Sequence, residues 1–317
     1  MRYRELGNTG IKVSEIAFGG VEIGMPYALN MSNAKHMMAK DEAIYLLNKS
    51  LDSGINFFDT ARLYGESEAI MGEAFKYKRD KVILASKCRH FRDSNGFLPE
   101  VSQIRSFVNQ SINESLEKLN TDYIDVYMLH YADLEILEID EIKEVFQELI
   151  IEGKIRVPGV SVYEQNETKL ALEKGFWKVI QLPFNLMDQK HAVHFDKADQ
   201  LGVGIVVRSV LMRGLLTERS FNLHPELKQV QDHVQQYKQL YSEHMNNLPS
   251  LAMKFAASIN EVSSVLVGID KIEFLEEAIK VFDGNYFSDK QLEKAKSLNF
   301  PNQSFLNLAQ WDKNGWL

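Results

Sequence analysis

The chain has 317 residues, 45% of them hydrophobic and 25% charged, with a formal net charge of −8. That make-up is ordinary for a globular domain in water. It includes no apolar run of about 18 residues to span a membrane and no basic stripe to hold a nucleic acid. The first residues, Met1 to Gly7, lack the apolar core of a signal peptide, and the one cysteine, Cys88, allows no internal disulfide. A cytoplasmic setting without membrane or nucleic-acid partners is therefore expected. The length suits one α/β barrel with additions, so residues 1–317 are expected to form a single domain.

Residues 2–13 alternate in polarity and turn at Gly7-Asn8-Thr9-Gly10, which predicts a small hairpin. Apolar strand segments follow at 16–19, 55–58, 82–86, 124–129, 157–160, 179–181, 204–207 and 265–267. Helical patterns lie between and after them, near 41–53, 66–77, 102–119, 139–152, 165–174, 188–201, 248–260 and 271–281. Eight short apolar strands alternating with helices predict a parallel sheet, and eight is the number that closes a (β/α)8 TIM barrel. Six of these strands end on or just before a polar residue: Asp59, Lys87, His130, Ser161, Gln181 and Arg208. Such endings gather polar groups on the C-terminal rim, where barrels of this kind do their chemistry.

Two regions interrupt the alternation. Residues 209–247, after the seventh strand, are far longer than an ordinary βα loop, and their 227–245 part reads as a polar helix. The tail beyond Phe300 carries Phe305, Trp311 and Trp316. It is expected either to line a substrate pocket or to pack as a surface strap.

The stretch 54–75 is the most informative. A short strand stops on Asp59, a polar turn presents Tyr64, and Ser67 is expected to cap a helix whose first turn holds Glu68. This stretch resembles the aldo-keto reductase signature GINxFDTAxxYGxSE. The resemblance continues in Leu6-Gly-Asn-Thr-Gly-Ile-Lys-Val-Ser, Ile83-Leu-Ala-Ser-Lys87, Asp122-Tyr-Ile-Asp-Val-Tyr-Met-Leu-His130 and Glu152-Gly-Lys-Ile-Arg156. It extends through Gly159-Val-Ser161, Gln181-Leu-Pro-Phe-Asn185 and Arg213-Gly-Leu-Leu-Thr217.

The resemblance implies a barrel plugged at the bottom by its hairpin, and reduction of an aldehyde, ketone or sugar carbonyl with NADP(H) or NAD(H). The family's catalytic tetrad falls on Asp59, Tyr64, Lys87 and His130. Carbonyl reduction builds negative charge on oxygen, which calls for a proton donor and electrostatic support. A free phenol, with a pKa of about 10, suits that role near neutral pH only with a cation beside it. The hydride comes from a cofactor, since no side chain supplies one.

The implied cofactor contacts are Gly20 after the first strand, and Ser161 and Gln181 for the carboxamide. Ser209, Leu211, Arg213 and Gly214 fall along the pyrophosphate, and Gly268, Asp270, Lys271 and Glu277 at the adenosine end. Departures from the family pattern are Val162, Phe274 and Ala278, where Asn, Gln and Asn are usual. Arg208 stands where many members place an aromatic ring. Its guanidinium is expected to disfavour the cationic oxidised cofactor, or else to turn away and pair with an acid. Asp270 replaces a common basic residue, so NAD(H) is expected to be tolerated well, unless that side chain merely caps the next helix.

Taken singly, each tetrad residue has a structural reading: a strand-end cap, a packed ring, a core histidine, a solvated lysine. Joint occurrence at matching strand ends favours chemistry. Cys88 is expected to point away from the catalytic face. His191 and His194 lie three apart without a third ligand, so exposed helix positions are expected rather than a metal pair. There is no GxGxxG and no GxxxxGK[ST]. Two other function classes compete: a cofactor-binding regulatory subunit of the same family, and a metal-dependent barrel hydrolase, for which no His-x-His follows the first strand. Substrate choice is expected to depend on residues 131–138, 209–247 and the tail.

Overall fold

The computed structural model describes residues 1–26, 38–217, 220, 223–242 and 245–316. Its strands are β1 (Tyr3–Glu5), β2 (Lys12–Ser14), β3 (Ile16–Gly19), β4 (Phe57–Asp59), β5 (Ile83–Cys88), β6 (Ile124–Leu129), β7 (Ile155–Ser161), β8 (Val179–Pro183), β9 (Gly204–Arg208) and β10 (Val262–Gly268). β1 and β2 form the expected antiparallel hairpin. β3 to β10 pair in parallel and close as a barrel, with β10 returning to β3 through Val265↔Ile16 and Gly268↔Gly19.

The strands are mostly apolar because both their faces are covered, with polar residues such as Lys87, Asp125 and Gln181 set among the apolar ones. Alternate residues divide between two cores. Ala17, Phe57, Ala85, Val126, Val157, Val179 and Val206 fill the barrel interior. Phe18, Phe58, Leu84, Leu129 and Ile180 belong to the larger core that also takes in helix residues such as Leu47, Ile112 and Phe146. The hairpin supplies Leu6, Ile11 and Val13 to the interior core. It docks where the strands begin, with Asn8 N–H donating to the Gly202 carbonyl at 2.8 Å. Gly7 has φ +54°, and a Cβ there would lie 2.4 Å from that same carbonyl oxygen, so the plug requires glycine at this point.

The helices are α1 (Val21–Gly24), α2 (Lys40–Asp52), α3 (Ser67–Phe75), α4 (Val101–Leu119), α5 (Leu134–Glu138), α6 (Asp140–Ile151), α7 (Gln165–Lys174), α8 (Phe195–Gln200), α9 (Lys228–Gln236), α10 (Leu248–Ala257), α11 (Ile272–Val281), α12 (Asp289–Ser297) and α13 (Leu308–Lys313). The expected helix at 188–201 is a 3-10 turn, Lys190–His194, running into α8. Among its described residues, the polar 227–245 segment is helical as α9 and a following 3-10 turn, Tyr237–Leu240, with Leu227 ending an earlier 3-10 turn. α5 and α12 were not anticipated, although each has a readable start: Asp133 caps Ile136 N–H, and Ser288 and Gln291 form a capping box.

Ser67 does not cap α3. Glu66 holds that position without a side-chain bond, while the buried Ser67 hydroxyl accepts from Thr60 Oγ1 at 2.8 Å. The hydroxyl is therefore used to pin the turn after β4.

Candidate active site

Parallel pairing of β4 with β5 sets Asp59 beside Ala85, which leaves Lys87 two residues further along and directed across the rim. The Lys87 ammonium is fully buried. It donates to Asp59 Oδ2 at 2.6 Å, to the Thr60 carbonyl at 2.9 Å and to the Tyr64 hydroxyl at 3.4 Å. Burial lowers the Lys87 pKa, and Asp59 opposes that shift. On the far side of the barrel, Gln181 Nε2 donates to Asp59 Oδ1 at 2.7 Å. The carboxylate thus has one oxygen on each partner, and its orientation is determined from two sides.

His130 follows β6 and meets the Tyr64 ring edge-on, with centroids 5.3 Å apart. Burial, reinforced by the Lys87, His90 and Arg208 charges, pushes the His130 pKa well below the ordinary imidazole value. The ring is neutral at pH 7, and its Nδ1 is buried with no partner among the described residues. Asp59, Tyr64, Lys87 and His130 therefore meet at one mouth of the barrel.

At that mouth a groove of about 820 Å³ is lined by Asp59 and Tyr64 and also by Asp270, Phe274, Glu277 and Ala278. Gly20, Arg208, Ser209, Leu211, Arg213, Gly214 and Gly268 also line it, each a position singled out in the sequence. Ser161, Gln181 and Lys271 do not. Ser161 and Gln181 are buried at their strand ends, and the Gln181 amide nitrogen is engaged by Asp59. Lys271 lies outside, its ammonium 5.7 Å from the Phe274 ring.

For two residues, Asp270 and Arg208, the sequence left alternatives open. Asp270 is not the cap of α11, because Lys271 holds that place without a side-chain bond. Arg208 makes no ion pair with an acid among the described residues. Its guanidinium lies 4.1 Å over the Tyr163 ring and donates to the Val162 carbonyl at 3.0 Å.

The groove wall contributed by the long segment after β9 is unusual in its backbone. Ser209 (φ 59°), Met212 (φ 47°) and Arg213 (φ 54°) all adopt the left-handed region, which side chains other than glycine's normally avoid. Such conformations cost about 1–3 kcal/mol each and persist where surrounding contacts enforce them. Here Asn185 Nδ2 donates to the Ser209 carbonyl at 3.1 Å, and Arg213 reaches Asp312 of the tail at 3.7 Å. The tail is anchored by Trp311, which is buried and packs on Phe305. It acts as a strap on this segment.

Cys88 is buried facing the helices, and burial pushes its thiol up to about 11. His191 departs from expectation. It is fully buried, donates from Nε2 to the Tyr163 carbonyl and accepts from the Thr168 hydroxyl at Nδ1, and its pKa falls to about 3. The histidine thus supports the loop on which Arg208 stacks. Among the described residues no three His, Cys, Asp or Glu side chains are placed to hold a metal ion, and no helix is long and apolar enough to cross a membrane. Three contributors escaped the sequence reading: the Thr60 carbonyl, the Gln181 bond to Asp59, and Glu22, which lines the groove.

The model of the aldo/keto reductase family matches residues 15–299. Among similar proteins, the uncharacterized oxidoreductase YqkF of Bacillus subtilis is 29% identical over 316 residues, covering 94% of this chain and 96% of that protein. The NADH-specific methylglyoxal reductase of Escherichia coli is 27% identical over 313 residues, covering 90% of this chain and 94% of that protein. Among solved structures, the holo form of aldo-keto reductase AKR11C1 from Bacillus halodurans matches with a TM-score of 0.79 at 26% identity, covering 96% of this chain and 99% of that one.

Proposed function

Because the chain belongs to the aldo/keto reductase family, we propose that it is an NAD(P)H-dependent oxidoreductase reducing the carbonyl of an aldehyde, ketone or sugar. In this reading residues 1–317 form one domain, Tyr64 is the general acid, and the enzyme works in the cytoplasm on small molecules. The observation that carries it is the buried Lys87 ammonium, held 2.6 Å from Asp59 while it donates to the Tyr64 hydroxyl at 3.4 Å. A cation at that oxygen stabilises the phenolate, which makes the phenol a better proton donor. Asp59 keeps Lys87 charged and aimed, and Gln181 keeps Asp59 in place. Neutral His130 can donate a hydrogen bond that orients the substrate oxygen.

The groove suits a dinucleotide. Besides Arg208 it offers two cations, Arg213 and Lys238, beside a positive-φ run of the kind that gathers backbone N–H groups around an anion. When bound, the nicotinamide supplies the hydride. A screen of NADH and NADPH consumption across aldehydes, ketones and sugars tests the reading. Tight cofactor binding with turnover of none of them would favour the regulatory-subunit alternative.

Asp270 lines the groove and is not a cap, which supports a role in cofactor choice. A carboxylate there repels a ribose 2′-phosphate and can accept from a free 2′-hydroxyl. The NADH-specific name of the Escherichia coli relative supports the same preference. At about 4 Å and a surface-like dielectric, such a repulsion amounts to a few kcal/mol before screening. Asp270→Arg is therefore expected to raise kcat/KM with NADPH relative to NADH by at least about tenfold. An unchanged ratio rejects the role.

Arg208 carries its charge into the same groove, near enough to lower the pKa of both Lys87 and His130. Arg208→Tyr is expected to tighten oxidised over reduced cofactor by several-fold, read as the ratio of their dissociation constants. Equal effects on both forms count against the charge argument.

A further inference from the structure

Of the groove's carboxyl groups outside the tetrad, Asp270 and Glu277 were already marked in the sequence as adenosine-end positions, and Glu22 was not. Glu22 lies on α1, the single turn that leaves β3 through Gly20, and it lines the groove wall. Its carboxylate rests against the backbone of Gly268. A Cβ at position 268 would meet Glu22 Oε1 at 2.3 Å and Cδ at 2.8 Å, so glycine there is what leaves the carboxylate room. Oε2 is closed off from solvent and has no hydrogen-bond partner among the described residues. Buried carboxylate oxygens are normally satisfied, and one without a partner in a ligand groove calls for an explanation.

The charged groups around Glu22 are mostly of its own sign. Asp270, two residues past Gly268, acts on it through space, and Glu277 of α11 lines the same wall. On the side of α3, Glu66 N–H donates to the Gly24 carbonyl, and Glu68 is ion-paired to Arg62. Of the cations of the groove, Arg213 and Lys238 come from the segment after β9 and Arg208 from the end of β9 itself, and Asp59 lies at the mouth in the grip of Lys87.

We propose that Glu22 acts with Asp270 as a determinant of cofactor charge, penalising a dinucleotide that carries a phosphate on its ribose and favouring one with the hydroxyl free. The inference rests on reading the groove as the dinucleotide site. Glu22 is half-buried with Oε2 closed off, and a carboxylate so placed keeps much of its field, because water and salt screen it only in part. Both cofactors bring the pyrophosphate, whereas only one brings a further phosphate, so the penalty scales with that extra charge. Burial, reinforced by Asp270, raises the Glu22 pKa to about 7. The penalty is accordingly small below neutrality, where Glu22 holds a proton, and grows as pH rises and the proton leaves.

The test is the dissociation constants of NADPH and NADH, read by titration calorimetry at pH 6.5 and pH 8 in the wild type, Glu22→Gln and Glu22→Ala. At the higher pH, Glu22→Gln is expected to tighten NADPH by about tenfold and NADH by less than about threefold. In the wild type the NADPH-to-NADH ratio of dissociation constants should climb several-fold between the two pH values, and the variants should blunt that climb. Equal tightening of both cofactors, or a ratio that neither variant moves, overturns the inference while leaving the reductase reading intact. Binding of neither cofactor to the wild type overturns the reading and the inference together. Should both variants fail to fold, a wild-type ratio that is flat with pH overturns the inference, and a rising one supports it.

Discussion

Tyr64→Phe is expected to lower kcat for carbonyl reduction by at least about 10²-fold, the usual scale for removing an acid-base group, while leaving cofactor affinity close to wild type. The substitution deletes one oxygen, the one 3.4 Å from Lys87 Nζ, and keeps the ring that packs edge-on against His130. The groove wall hardly changes, so the loss should appear in kcat and not in the cofactor dissociation constant. Steady-state kinetics with the best substrate of the screen, together with NADH and NADPH binding, separate the two. Wild-type turnover in Tyr64→Phe would remove Tyr64 from the mechanism.

Lys87→Met is expected to cost both activity and stability. The ammonium donates to three oxygens, and its loss leaves Asp59 buried with the Gln181 amide as its remaining side-chain donor. Breaking a buried ion pair from one side typically costs about 3–5 kcal/mol, because the remaining charge stays buried without compensation. Denaturant unfolding should show that loss, and kcat should fall at least as far as in Tyr64→Phe. The double variant Asp59→Asn with Lys87→Met removes both charges. It is expected to regain much of the stability and none of the turnover. A Lys87→Met protein as stable as the wild type would mean that the pair adds nothing to the fold.

The barrel was legible in the sequence because each strand is buried on both faces and so reads as a mostly apolar run, with Ile16–Gly19 a clear case. The meeting of Asp59, Tyr64 and Lys87 was legible for the same reason: polar residues ending adjacent parallel strands must share a rim. What the sequence concealed were contacts that no local period reports. Gln181 and Asp59 are 122 positions apart. Which groove residue its amide would serve depended on how far the barrel turns between β4 and β8. Glu22 was hidden because α1 is a single turn, too short to show a helical pattern. His191 was read as exposed on the assumption of a regular helix over 188–201. The chain starts that segment as a tighter 3-10 turn, which rotates the imidazole inward onto Thr168. Ser67 looked like a helix cap by residue type, yet its hydroxyl is engaged from below by Thr60.

The pairing of β10 with β3 has a consequence for how the chain comes into being. Made from its N-terminus, the growing protein has β3 from the outset, but that strand has only β4 for a neighbour until residues 262–268 emerge. The plug is in a similar position. Arg4 of the hairpin donates to the carbonyls of Ala257, Ile259 and Val262, groups that come late in synthesis. For most of its synthesis the nascent barrel is an open sheet with two unpaired edges, the feature most prone to pairing with another chain. Contacts spanning nearly the whole length also slow the final closure. The ribosome-bound chain is therefore at its most vulnerable just before the last strand arrives, when the sheet is nearly complete and its two edges still lack each other.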